Sequence, residues 1–132
     1  MNNPQIYRDI TQVLEFFTKK GWSENMPKVW RFTLYPVMID YILTMLSASA
    51  DAYDMQEGRE ANIRKVISNL RKTMSLTRVF REAGVISIRQ GDYLDRFYEK
   101  IDGQTHKWLK SVKKKTVKPE VCGGEAAACP CN

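Results

Sequence analysis

The sequence predicts an all-α fold, an up-down four-helix bundle, on three observations. Four amphipathic segments carry apolar residues at three- and four-residue spacing and are joined by short connections. The seven glycines and five prolines fall mostly at ends and junctions, where helices tolerate them. There is no convincing strand, internal repeat or long coiled coil. The 132 residues suffice for one domain with a modest core, and a hydrophobic content of 43% favours folding over disorder. Residues 1–115 read as the bundle and 116–132 as a flexible cysteine-containing tail.

Asn3 is placed to cap the first helix, with Pro4 at its first position. Ile6, Ile10, Val13 and Phe17 form its apolar stripe. Lys19 and Lys20 suit the negative end of the helix dipole, and Gly21 ends the helix. Trp22 to Lys28 reads as a loop, and Trp30 and Phe32 as a plug for one end of the bundle. Pro36 either opens the second helix within its first turn or kinks one already running from Lys28. A regular start close to Leu34 is the preferred reading.

The second helix, Leu34 to Tyr53, is apolar almost all round. Leu34, Met38, Tyr41, Met45, Ala48 and Ala52 form one stripe; Ile39, Leu43, Leu46 and Ala50 lie roughly opposite. Asp40 and Asp51 argue against a membrane span. A chain this short has few elements to cover both faces, so the second face is expected to meet another subunit. A central core helix in a monomer is the alternative.

Asp54 to Gly58 is a polar connection, and the third helix is expected from Arg59 to Ala83, with Gly84 as its stop. Its stripe is Ile63, Ile67, Leu70 and Met74; then Leu76, Val79, Phe80 and Ala83 change side. Either the helix is locally distorted or the second face is buried against another subunit. The expected oligomer interface therefore comprises Ile39, Leu43, Leu46, Leu76, Val79 and Phe80. Ser87 and Gln90 have capping-box spacing and open a fourth helix, Ile88 to Lys114. Its stripe is Leu94, Phe97, Ile101, Trp108 and Val112, with Thr105 in the gap; Gly91 and Gly103 only weaken it.

A formal net charge of +6 and a pI near 9.3 point to an anionic partner without choosing among nucleic acid, an acidic protein face and a membrane surface. The positive residues are ordered. Arg64, Arg71 and Arg78 repeat every seven residues along one flank of the third helix, with Lys65 and Lys72 behind them. Arg59 and Arg81 add to the positive balance of that helix, which only Glu60 and Glu82 oppose. The fourth helix carries Arg96, Lys100, Lys107, Lys110 and Lys114 opposite its apolar stripe. Long cationic side chains at regular spacing suit phosphate binding, although a merely solvated helix face has the same pattern. No helix-turn-helix or zinc-finger signature indicates base-specific reading.

Catalysis is not expected. His106 is the only histidine, and no Gly-rich phosphate loop, histidine metal motif or nucleophile elbow is present. Asp92, Asp95, Glu99 and Asp102 read as charge-balancing surface residues. Cys122, Cys129 and Cys131 make at best an incomplete metal site, so neither metal nor cofactor is expected. Asp9 and Glu15 interrupt the start, where no signal peptide is visible, and the expected location is cytoplasmic.

The string SLTRVFREAGVIS, followed by Tyr93, Leu94 and later Trp108, resembles a family of four-helix bundle proteins. That family includes the accessory variability determinant (Avd) proteins of diversity-generating retroelements. The PKVWRFTL stretch from Pro27 to Leu34 is similar to the approach to the second helix in that family. The similarity spans roughly Ile6 to Lys115. It implies a homopentameric barrel of bundles with a basic surface. It also implies association with a reverse transcriptase and with template RNA or cDNA in mutagenic retrohoming. A related group, encoded within intervening sequences of large-subunit ribosomal RNA genes, provides the alternative; a structural oligomer without nucleic-acid binding is the third. No membrane partner is expected.

Overall fold

Among the described residues the chain forms four α-helices and one short 3-10 turn, with no strand. The computed structural model describes residues 5–19 and 21–117, with side chains described as far as Lys113. The readings placed on Asn3, Pro4, Lys20 and the cysteine-containing tail lie outside the described residues. Helix α1 is Gln5–Thr18, the 3-10 turn Lys28–Arg31, α2 Leu34–Asp54, α3 Arg59–Glu82 and α4 Ile88–Val117. Each helix packs on the next, and α1 packs on α4, which closes the four into a bundle.

In α1, Ile6, Ile10, Val13 and Phe17 all point into the core, as their spacing predicts. Pro36 falls in the first turn of α2, where its missing N–H interrupts no helical hydrogen bond. The inner face of α2 is Met38, Ile42, Met45, Ala48, Ser49 and Ala52. Ile42 therefore takes the place that the sequence reading assigns to Tyr41, which is only half-buried. By length and composition alone, Lys28–Asp54 is apolar enough to cross a membrane. Here its inner face packs within the bundle.

The third helix corrects the sequence reading most. Its inner stripe runs Ile63, Val66, Leu70, Thr73, Thr77 and Phe80, without a change of side. Ile67 moves to the flank and Met74 is exposed. Two threonines carry the stripe because each satisfies its hydroxyl locally. Thr73 Oγ1 donates to the Asn69 carbonyl at 2.8 Å and Thr77 Oγ1 to the Thr73 carbonyl at 2.7 Å. Phe80, expected at a subunit interface, is 0% exposed inside its own bundle. It is ringed by Phe17, Trp22 and Trp30.

The aromatic plug is likewise Trp22, not Phe32. Trp22 is buried and its indole N–H donates to the Phe17 carbonyl at 2.8 Å. The Tyr35 hydroxyl donates to the same carbonyl at 2.8 Å. These bonds satisfy an acceptor in the last turn of α1, where helical partners run out. Trp30 is half-buried against Phe80, whereas Phe32 is 78% exposed.

Between α3 and α4 the expected signals hold. Gly84 adopts φ 78°, and the Val85 N–H reaches back to the Phe80 carbonyl at 2.8 Å. The Ser87 N–H donates to Gln90 Oε1 at 2.8 Å, while the Gln90 N–H donates to Ser87 Oγ at 3.0 Å, a reciprocal capping box. In α4, Leu94, Tyr98, Ile101 and Thr105 face inward, with Phe97 and Trp108 on the flank. Tyr98 was not part of the expected stripe. Its hydroxyl lies 2.7 Å from Thr77 Oγ1, and burial pushes its phenol well above the usual tyrosine range.

Candidate nucleic-acid interface

A step of seven residues along an α-helix falls about 20° short of two full turns, so a seven-residue repeat stays on one flank. Arg64, Arg71 and Arg78 are all exposed on α3, as are Lys65 and Lys72. Arg64 is paired with Glu60 at 3.0 Å, one turn away. Lys72 reaches toward α2, with Nζ 5.8 Å from the Tyr41 ring centroid. Among the described residues no carboxylate pairs with Lys65, Arg71 or Arg78.

Arg81 does not belong with them. Its guanidinium turns onto α4, with Nη2 3.0 Å from Asp92 Oδ1 and Nη1 3.3 Å from Asp95 Oδ2. It lies over Gly91, where a Cβ would collide with it. Gly91 is therefore a docking surface for Arg81 rather than a tolerated weakness. Asp102 Oδ1 lies 3.1 Å from His106 Nε2 on an exposed face.

On α4, Arg96, Lys100, Lys107 and Lys110 are exposed, and Lys100 Nζ stands 5.3 Å from the Phe97 ring centroid. The Lys114 side chain lies outside the described residues. The pairing with Arg81 shows that the flank carrying Asp92 and Asp95 is turned toward α3. Helical geometry turns Arg96, Lys100 and Lys107 outward and away from α3, whereas Lys110, five whole turns after Asp92, lies on the same flank as Asp92. Asp92, Asp95 and Asp102 thus stand between the two rows along the first half of α4, and Lys110 and Lys113 take over that flank beyond Asp102.

One groove does form beside the α3 row. It has a volume of about 500 Å³ and runs between α3 and α4. Ile67 and Leu109 line it with Arg64, Arg71 and Lys72; Ser68 and His106 add polar groups. Sequence reasoning assigned Ile67 to the core and gave Leu109 no role. The usable signal was that both sit just off their inner stripes, where facing helices leave a furrow.

The remaining interface candidates are partly covered. Ile39, Leu46 and Leu76 pack against the edge of the core, while Leu43 is 48% and Val79 42% exposed. Ile39, Leu43 and Leu46 lie on the flank of α2 away from Tyr41, so they are separate from the strip on α3. Among the described residues no three His, Cys, Asp or Glu side chains gather as a metal site would require.

No family model matches this chain, no curated protein matches it, and no solved structure does. The geometry itself describes an all-helical bundle with an exposed cationic row along α3, an adjoining apolar-floored groove, and half-covered apolar strips on α2 and α3.

Proposed function

We propose that this protein is a non-enzymatic accessory factor whose basic helix faces hold nucleic acid beside a reverse transcriptase. The observation that carries the reading is the α3 row, in which Lys65, Arg71 and Arg78 are exposed and without ion pairs among the described residues. Side chains of this kind exchange condensed counterions for phosphate oxygens and bind largely without regard to sequence. Partner choice rests on the resemblance to retroelement accessory bundles. The substrate would be template RNA or its cDNA, and the role would be to support mutagenic retrohoming. The same resemblance motivates a homopentamer. Leu43 on α2 and Val79 on α3 offer two separate apolar strips, as a ring with unlike contacts on its two sides needs.

The test is a combined Arg64→Gln, Arg71→Gln and Arg78→Gln variant, with circular dichroism as the folding control. If every contact is made, the slope of log affinity against log salt flattens by about 2. Loss of reverse-transcriptase binding with intact nucleic-acid affinity reassigns the row to a protein partner. Unchanged binding to both leaves it a solvated surface and overturns the reading.

A further inference from the structure

Phosphate binding alone does not call for an apolar floor between the cations. A duplex presents its phosphates outward and keeps its bases stacked inside, so it has little to place against Ile67 and Leu109. A single strand can turn a base away from its backbone and lay it on such a surface. We propose that the groove between α3 and α4 seats an unpaired base of a single-stranded nucleic acid while the α3 row holds the flanking phosphates. This rests on the nucleic-acid reading above and narrows it to one strand state.

Four features converge on that occupant. The groove of about 500 Å³ is roomy enough for a base and its sugar. Ile67 and Leu109 are both half-buried, so their exposed sides form a floor without leaving the bundle. Ser68 and His106 stand beside that floor with hydrogen-bonding groups that a base edge can use. Arg64 and Arg71 flank it and are separated by about 10.5 Å of helix rise, roughly three nucleotide steps of a stacked strand. Arg64 is shared with Glu60 at 3.0 Å, but that pair is exposed and competes weakly. No carboxylate lines the groove among the described residues; Glu60 and Asp102 each contact one of its lining residues, Arg64 and His106, and three cations line it against them. The charge therefore favours a polyanion, and the apolar floor favours one with faces to bury.

The experiment uses the full chain with isotope-labelled isoleucine and leucine methyl groups. A mixed-sequence 12-nucleotide RNA is titrated in parallel with the duplex of the same sequence at one salt concentration. The single strand is expected to bind about fivefold more tightly, the low end of the scale for stacking a base on an aromatic ring, because this floor is aliphatic. It should also move the Ile67 and Leu109 methyl signals by ring current, which the duplex should not. Leu109→Asn should remove the preference for the single strand; thermal unfolding checks its fold, and the methyl measurement needs no variant. Equal affinities with both methyl groups unmoved overturn the groove proposal and leave phosphate binding standing. Absence of binding to either nucleic acid overturns the underlying reading as well. If polyglutamate moves the two methyl groups and RNA does not, the groove serves an acidic protein segment and the proposal fails.

Discussion

Thr77 and Tyr98 form a buried pair whose energetics can be worked out from proton counting. A hydroxyl has one proton to give. Thr77 spends its proton on the Thr73 carbonyl at 2.7 Å, so the bond of 2.7 Å between the two hydroxyls is donated by Tyr98. Tyr98→Phe then removes a donor but leaves the Thr77 hydroxyl bonded to Thr73, and should lower stability by about 0.5–1.5 kcal/mol. Thr77→Val keeps the branched shape but strands the Tyr98 hydroxyl, which is 1% exposed. That orphaned donor should lower stability by about 1–3 kcal/mol. The double variant strands nothing, so it should be no worse than Thr77→Val alone, with a coupling on the order of 1 kcal/mol. Urea unfolding followed by circular dichroism, at constant m-value, measures all four corners of the cycle. A Thr77→Val milder than Tyr98→Phe, or strictly additive effects, would refute the assigned direction of the bond.

The same tyrosine sets a pH dependence. Its folded pKa is raised above the unfolded value of 10.0, so the stabilisation is fully present below pH 10 and is lost as pH climbs toward the folded value. Unfolding curves between pH 9 and about 11 should therefore fall more steeply for the unmodified protein than for Tyr98→Phe, and matching slopes would contradict it. Gly91→Ala should not deliver the roughly 1 kcal/mol that helix propensity favours, because the new methyl displaces the Arg81 guanidinium. In an Arg81→Ala background the gain should appear, and thermal melts of the four proteins read the difference. Leu43→Asp should leave the thermal midpoint nearly unchanged, since Leu43 is 48% exposed in the single chain, while removing self-association. Light scattering decides it; a monomeric mass for the unmodified protein at micromolar concentration ends the oligomer reading.

Helix periodicity made the apolar stripe of α1 legible residue by residue, and only the buried Asp9 beside it escaped the pattern. The turn after α3 was equally legible, since Gly84, Ser87 and Gln90 act through local backbone chemistry. Most of the misreadings came from polar side chains whose hydrogen bonds, within the helix or across the fold, do not show as apolar periodicity. Thr73, Thr77 and Tyr98 look like surface residues until their hydroxyls find partners inside. Mistaking the threonines made Phe80 seem to leave the stripe. Trp22 and Phe32 both sit outside the regular helices, where no period tells which ring turns inward. Arg81 counted as surface charge because its destination, the bare backbone at Gly91, is on another helix. The exposed α3 row was readable from spacing, but the groove beside it depends on how α3 and α4 meet.

Asp9 is 2% exposed, and its carboxyl oxygens accept from Gln5 Nε2 at 3.0 Å and from Gln104 Nε2 at 2.9 Å. The second bond joins residues 95 apart, whereas α2 and α3 are linked by the short stretch 55–58. Closing a loop of that length carries a chain-entropy term of roughly 4 kcal/mol, against about 1–2 for the short connection. The α2–α3 hairpin is thus expected to assemble early, and the seam between α1 and α4 to be sealed near the end of folding. Contacts made after the transition state act mainly on the rate of escape from the native basin. Gln5, Asp9 and Gln104 then act as a latch on the lifetime of the folded molecule, with little influence on how fast it forms.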